Sequence, residues 1–173
     1  MVDRTPPDGL SLRPAEADDA EALSECWIEF GRYYADESPD RFRVPAREGL
    51  SGWIAREIEQ SRLRDELWLV AEKDETIVGF IRAAIWAPAP DADRQIMREV
   101  SEPLLKINSL FVDAAARRTG VGTALMDAAT DWGRERGATQ AVVIAFAGDE
   151  PAVSFYEARM RYERNTIGFW RRL

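Results

Sequence analysis

Arg117-Arg118-Thr119-Gly120-Val121-Gly122 stands between two differently patterned stretches, and its reading decides the fold. Upstream, Leu104 to Asp113 (L-L-K-I-N-S-L-F-V-D) is apolar enough to predict a strand. Downstream, Val121 to Arg136 carries Leu125, Met126, Ala129 and Trp132 near helical spacing, which predicts an amphipathic helix. A helix leaves its first backbone N–H groups without intrahelical acceptors. A glycine turn lets those groups converge. With the positive end of the helix and two arginines they make an anion site suited to a pyrophosphate. The motif alone is equally compatible with a tight turn whose arginines are solvated. No Gly-Lys-Ser/Thr follows, so it is not a Walker loop. The G-x-G-x-x-G phasing of a dinucleotide-binding turn is also absent.

A second signal follows at the spacing the first requires. Gln140 to Ala147 (Q-A-V-V-I-A-F-A) predicts a strand, and D-E-P-A-V-S-F-Y-E-A then runs from Asp149 to Ala158. Asp149 suits an N-cap, Pro151 falls in the first turn, and Ala152, Phe155 and Tyr156 define one helix face. Together the two stretches resemble the GCN5-related N-acetyltransferase (GNAT) superfamily. Arg117, Gly120 and Gly122 match its R/Q-x-x-G-x-G/A loop, and Asp149, Ala152, Phe155 and Tyr156 its N-x-x-A-x-x-F-Y element, with Asp in place of Asn.

The resemblance implies an α/β (α+β) acyl-CoA N-acyltransferase fold: a mixed, mostly antiparallel sheet flanked by helices, with two parallel central strands splayed apart. It implies acetyl-CoA as co-substrate, no metal, and direct transfer to a primary amine in a ternary complex. Arg117, Arg118, Thr119, Gly120, Val121, Gly122 and Thr123 would hold the pyrophosphate. Backbone groups of Leu110, Phe111 and Val112 would hold the pantetheine and polarise the thioester carbonyl. Asp149 and Ser154 complete the cofactor-binding set, and Tyr156 would protonate the departing thiolate. For Tyr156 the alternative is an aromatic that only packs its helix. Two other functions stay open: acetylation of a protein N-terminus or lysine, as in a basic peptide, and a non-catalytic acyl-CoA-binding regulatory module. A homodimer is also left open, with Phe169 and Trp170 as interface or core.

Composition agrees with one domain. A chain of 173 residues, 46% hydrophobic, is long enough for one full core, and no repeat or low-complexity linker divides it. No apolar run approaches membrane-spanning length, the N-terminus carries no apolar signal region, and the single Cys26 suits a reducing cytoplasm. The absence of histidine excludes Ser-His and Cys-His triads and argues against a zinc site. The acidic balance, net charge −8, disfavours nucleic acid as a partner.

Upstream, a first strand is expected at Leu10 to Arg13, with helices at Ala20 to Tyr34 and Ala46 to Arg62. A hairpin of Glu66 to Lys73 and Thr76 to Ala87 follows, then a charged stretch to Glu102, and a last hairpin is expected over Tyr162 to Arg172. Ala15 to Asp40 holds nine acidic residues against Arg32 alone, the whole net charge of the chain. Were this segment to wall the acceptor site, it would concentrate small cationic amines; a solvated helix face is the alternative. Trp27, Phe30, Tyr33, Tyr34 and Trp86 are core residues by spacing or the lining of an amine pocket. No general base stands out: Glu29, Asp36 and Glu37 are candidates, and Asn108 or Ser109 could hold a water. Arg159, Arg161, Arg164, Arg171 and Arg172 make a basic tail suited to CoA phosphates or to a solvated strand. Finally, where the family commonly has F-Y-x-x-x-G-F, this chain has Arg159 and Met160 in the region of the glycine, so either the helix ends by another geometry or the last strand enters differently.

Overall fold

The computed structural model describes residues 7–171. Asp74 and Glu75 both take left-handed backbone angles (φ 49° and 61°), the requirement of a two-residue hairpin turn whose twist matches its strands. They fold β2 (Leu67–Lys73) onto β3 (Thr76–Trp86). On one side β1 (Leu10–Pro14) pairs antiparallel with β2; on the other, β4 (Leu104–Val112) pairs antiparallel with β3. β5 (Gln140–Val143) then joins β4 in parallel, giving the order β1-β2-β3-β4-β5.

Alternation along the strands supplies two apolar faces. Trp68, Val70 and Phe80 pack with Leu23, Ile28, Ile54 and Ile58 of α1 (Ala20–Glu37) and α2 (Leu50–Leu63). Leu67, Ala71, Ile81 and Ala83 face the opposite way, onto Leu125, Met126 and Ala129 of α3 (Val121–Glu135). The mixed, mostly antiparallel sheet flanked by helices is therefore as the resemblance implies.

One irregularity shapes the site. Ala83 pairs with Ile107 but Arg82 pairs with Ser109, so Asn108 is an extra residue, a β-bulge. Leu105 and Ile107 lie against α3; without the bulge Phe111 would point the same way. Instead it turns to the α1 face and stacks on Phe80, centroids 5.7 Å apart. The β4–β5 ladder also stops at Ile107, paired with Val143. Beyond it the two parallel strands part, leaving one backbone edge of Asn108 to Val112 without a strand partner among the described residues.

The remaining differences from the expected elements lie near this opening. β5 ends at Val143 rather than Ala147, because the chain turns to bring Phe146 against Tyr34 and Phe42 (6.5 and 5.4 Å). α4 (Glu150–Ser154) runs straight into a π-helical turn, Phe155–Arg159. That wider turn ends the helix without the glycine: the Met160 N–H bonds the Phe155 carbonyl (3.0 Å), and Arg161 takes the left-handed exit (φ 60°) instead of a glycine at 160. The charged stretch before β4 forms two short 3-10 turns, Ala92–Arg94 and Arg98–Ser101. The expected final hairpin does not form among residues 162–171, and Arg172 lies outside the described residues. Phe169, 95% exposed, is no part of the core.

Candidate active site

The glycine turn is built by local bonds. Asp113 accepts from the Ala115 N–H (2.8 Å) and the Thr119 hydroxyl donates to the Ala116 carbonyl (2.7 Å), which closes the turn before the loop. Arg118 and Gly120 then take positive φ (64° and 97°), and Gly120 caps α3. The first helical bond is Ala124 N–H to Gly120 O (2.9 Å), so the N–H groups before it point out of the helix end with no intrahelical acceptor. Arg117 folds back: its Nε donates to the Val112 carbonyl (3.0 Å) and its guanidinium lies 5.1 Å from the Tyr33 ring centre.

A cavity of about 590 Å³ runs from this helix end along β4 to α4. Of the expected residues it gathers Leu110, Phe111, Val112, Arg117, Arg118, Gly120, Gly122 and Thr123 on one side and Asp149 and Tyr156 on the other. Three do not line it. Thr119 spends its hydroxyl on the turn, Val121 is buried beneath α3, and Ser154 is exposed on the outer face of α4. Gly122 leaves close space: an added Cβ would lie 3.5 Å from both Phe155 and Val112 side chains. Arg159, read from sequence only as part of a basic tail, lines the cavity, with Nε 3.4 Å from the Thr123 hydroxyl.

By spacing, Tyr33 and Tyr34 are core residues or the lining of an amine pocket. In the structure the Tyr33 hydroxyl donates to Asp149 Oδ1 (2.9 Å), which also accepts the Ala152 N–H (3.0 Å) and so caps α4. Asp149 is only 4% exposed. The contact spans 116 positions of chain, and no local pattern announces it.

A second cavity, about 940 Å³, opens on the other side of Tyr34 and Tyr156, toward Phe42, Phe146 and the C-terminal segment. Phe30, Tyr34 and Tyr156 line both cavities and so form their common wall. Burial raises the Tyr156 pKa well above its ordinary value, with the Tyr162 and Asp149 charges adding to it, so the phenol keeps its proton at neutral pH. Burial likewise raises Tyr34, followed by the charge of Asp149.

Of the two readings of the acidic segment, the solvated helix face fits its placement. None of its nine carboxylates lines either cavity; Glu25, for example, pairs outward with Arg47. Glu29, Asp36 and Glu37 therefore do not reach the common wall, and neither do Asn108 and Ser109. Trp86 lies away from both cavities, under the Lys106 ammonium (4.1 Å).

No curated protein matches the chain. Among solved structures it is similar to a transcriptional regulator from Bacillus halodurans C-125, 20% identical over 95% of this chain and 99% of that one, TM-score 0.71. It is also similar to glucosamine-6-phosphate N-acetyltransferase from Arabidopsis thaliana, 14% identical over 94% and 97%, TM-score 0.69. A third is AAC(6')-Iy in complex with the bisubstrate analog CoA-S-monomethyl-acetylneamine, 17% identical over 95% and 98%, TM-score 0.65. At these identities the likeness is one of fold. The model of the acetyltransferase (GNAT) family matches residues 21–161, from α1 through the π turn, and the chain belongs to that family.

Proposed function

We propose that this acetyltransferase is a single-domain, cytoplasmic enzyme that moves the acetyl group of acetyl-CoA to the primary amine of a small molecule by direct transfer in a ternary complex. The observation that carries the reading is the meeting of two cavities at Phe30, Tyr34 and Tyr156. One has the chemistry of a pyrophosphate-bearing chain, and the other is an aromatic chamber of acceptor size.

Acetyl-CoA, when bound, supplies an acetyl group already activated as a thioester. The residues of the smaller cavity, that of about 590 Å³, suit it. Arg117, Arg118 and Arg159 stand at the α3 end, where unpaired N–H groups and the helix dipole favour phosphate. The unpaired edge of β4 after Ile107 offers backbone donors and acceptors to an extended amide chain, and fixed groups of this kind need no reorganisation during reaction. Tyr156, protonated at neutral pH, is the acid for the departing sulfur. The acceptor's apolar part packs on Phe42 and Phe146.

A preference for cationic amines rests on the acidic segment acting from outside the cavities. Attraction at that range is screened within about 8 Å at physiological salt. It should therefore show in low-salt association and fade as salt is added.

The test is thiol release from acetyl-CoA with polyamines, aminoglycosides, amino acids and basic peptides. Release above the acceptor-free rate with small amines supports the reading, and a preference for peptides would shift it to protein acetylation. Binding of acetyl-CoA with no release for any acceptor would favour a regulatory module.

A further inference from the structure

The larger cavity, about 940 Å³, is lined by three cations and two carboxylates among the described residues. Glu157 and Arg164 pair with each other (2.8 Å), and Arg43 and Glu163 are exposed and opposite in charge. Arg41 is left over, and it is held differently. Its guanidinium lies over the rings of Phe146 (5.0 Å), Phe42 (5.6 Å) and Trp170 (5.6 Å), all of which line the cavity. Rings attract a cation but do not neutralise it. No carboxylate pairs with Arg41 among the described residues, and none of its guanidinium N–H groups donates to an oxygen there. Three aromatic side chains thus orient a planar fork of donors that those residues leave unused.

The position sets how far a ligand of that fork must reach. Phe42 is 5.6 Å from the guanidinium and 5.0 Å from the Tyr34 ring; Phe146 is 5.0 Å from the one and 6.5 Å from the other. One ring's width therefore separates the cation from the wall of Phe30, Tyr34 and Tyr156. We propose that Arg41 binds a carboxylate of the acceptor, so that the acceptor is a primary amine joined to a carboxylate through an apolar spacer about one aromatic ring long. This rests on the acetyl-transfer reading above and narrows its acceptor. A guanidinium meets a carboxylate in two parallel hydrogen bonds, and a single unpaired cation balances one negative charge rather than the two of a phosphate. With the carboxylate on Arg41, the spacer lies along Phe42 and Phe146, and the amine arrives at Tyr34 and Tyr156. The acidic segment outside the cavities acts on the amine end during approach, and Arg41 on the other end once the molecule is seated.

Two probes of one shape test this: 4-(aminomethyl)benzoate, which carries the charge, and 4-(aminomethyl)benzamide, which does not. In the wild type, kcat/KM should favour the acid about 10-fold, the worth of one bidentate charged pair open to solvent on one side. In Arg41→Gln that ratio should fall to about 1, with the loss carried by KM, because Arg41 touches the end of the acceptor that does not react. A cavity merely reshaped by the substitution would slow both probes alike and leave the ratio standing. Arg41→Lys, which keeps the charge without the fork, should give a ratio between the two. Calorimetry with coenzyme A present reads the same difference without turnover: the acid should bind about 10-fold tighter than the amide to the wild type, and equally to Arg41→Gln. Equal binding of acid and amide by the wild type, or an unchanged ratio in Arg41→Gln, would overturn the proposal. Acetylation of polyamines but of neither probe would also overturn it, and would leave the transfer reading standing. Binding of the acid that depends on Arg41, in a protein that acetylates no amine, would support the carboxylate site and overturn the transfer reading instead.

Discussion

Replacing Gly120 by alanine separates the anion-binding geometry of the loop from simple backbone strain. Gly120 sits at φ 97°, ψ −8° as the cap of α3, and an added Cβ would lie 3.1 Å from the Pro7 ring. A left-handed angle costs a non-glycine residue about 1–2 kcal/mol. Loss of unfolded-state freedom returns about 0.4–1 kcal/mol of that. The net is about 1 kcal/mol, or about 2–4 °C in Tm for a chain of this size. Gly137, just past α3, supplies the control: it has φ 81° and nothing within 4 Å of its added Cβ. Gly137→Ala should lower Tm by a similar amount and leave coenzyme A affinity alone. Gly120→Ala should add a loss of affinity, because relief of the strain tilts the N–H groups that meet the phosphates. Losing one charge-assisted hydrogen bond, about 1.5–3 kcal/mol, weakens Kd by about 10- to 100-fold. Thermal melts paired with calorimetry read both quantities. Equal coenzyme affinity in the two variants would refute the assignment of the loop as the phosphate site.

Other expectations follow from named contacts. Tyr156→Phe should lower turnover about 100-fold while coenzyme affinity holds, by steady-state kinetics and calorimetry; unchanged turnover would remove Tyr156 from the chemistry. Phe80 is fully buried between Trp27 and Phe111 (5.7 Å from each ring), so Phe80→Ala should cost about 3–5 kcal/mol in urea unfolding. Burial, followed by the Glu29 and Asp113 charges, pushes the Cys26 thiol from 9.0 up to about 11. The fold thus favours the neutral thiol; this stabilisation is complete below pH 9.0 and is lost as pH rises toward about 11. Alkylation at pH 8 should be slow in the native protein and fast in urea. The Arg13 hydrogen bond holds Asp19 below the usual carboxylate range. That stabilisation is present above the ordinary carboxylate pKa and is lost as pH falls through the depressed one. Because Arg13 is 37% exposed, Arg13→Gln should cost only about 0.5–1 kcal/mol at pH 7, by urea unfolding, and less at pH 2.

What could be read from the chain was what local pattern determines. Alternation located β2, β3 and β4, helical spacing located α1 to α3, and the two short motifs located the cavity's opposite walls. The Asn108 bulge was hidden because one polar pair in an apolar strand suits either register. Its consequence, Phe111 on the α1 face, depends on pairing with β3. The missing glycine at 160 was visible, but the π turn that replaces it depends on how Phe155 and Tyr156 pack. The Tyr33–Asp149 bond joins elements far apart in sequence, so only the fold brings it into view. The acidic segment had two readings in the sequence, and the fold separates them: its charge faces outward because the apolar stripe of α1 takes the core.

The measurement that tests the central claim most directly is a two-substrate initial-rate matrix, varying acetyl-CoA against an accepted amine. Direct transfer across the wall shared by the two cavities predicts intersecting double-reciprocal lines, with no acetyl group found on the protein by mass spectrometry after acetyl-CoA alone. Parallel lines together with an acetylated protein would contradict it, because the group would then have passed through an enzyme side chain.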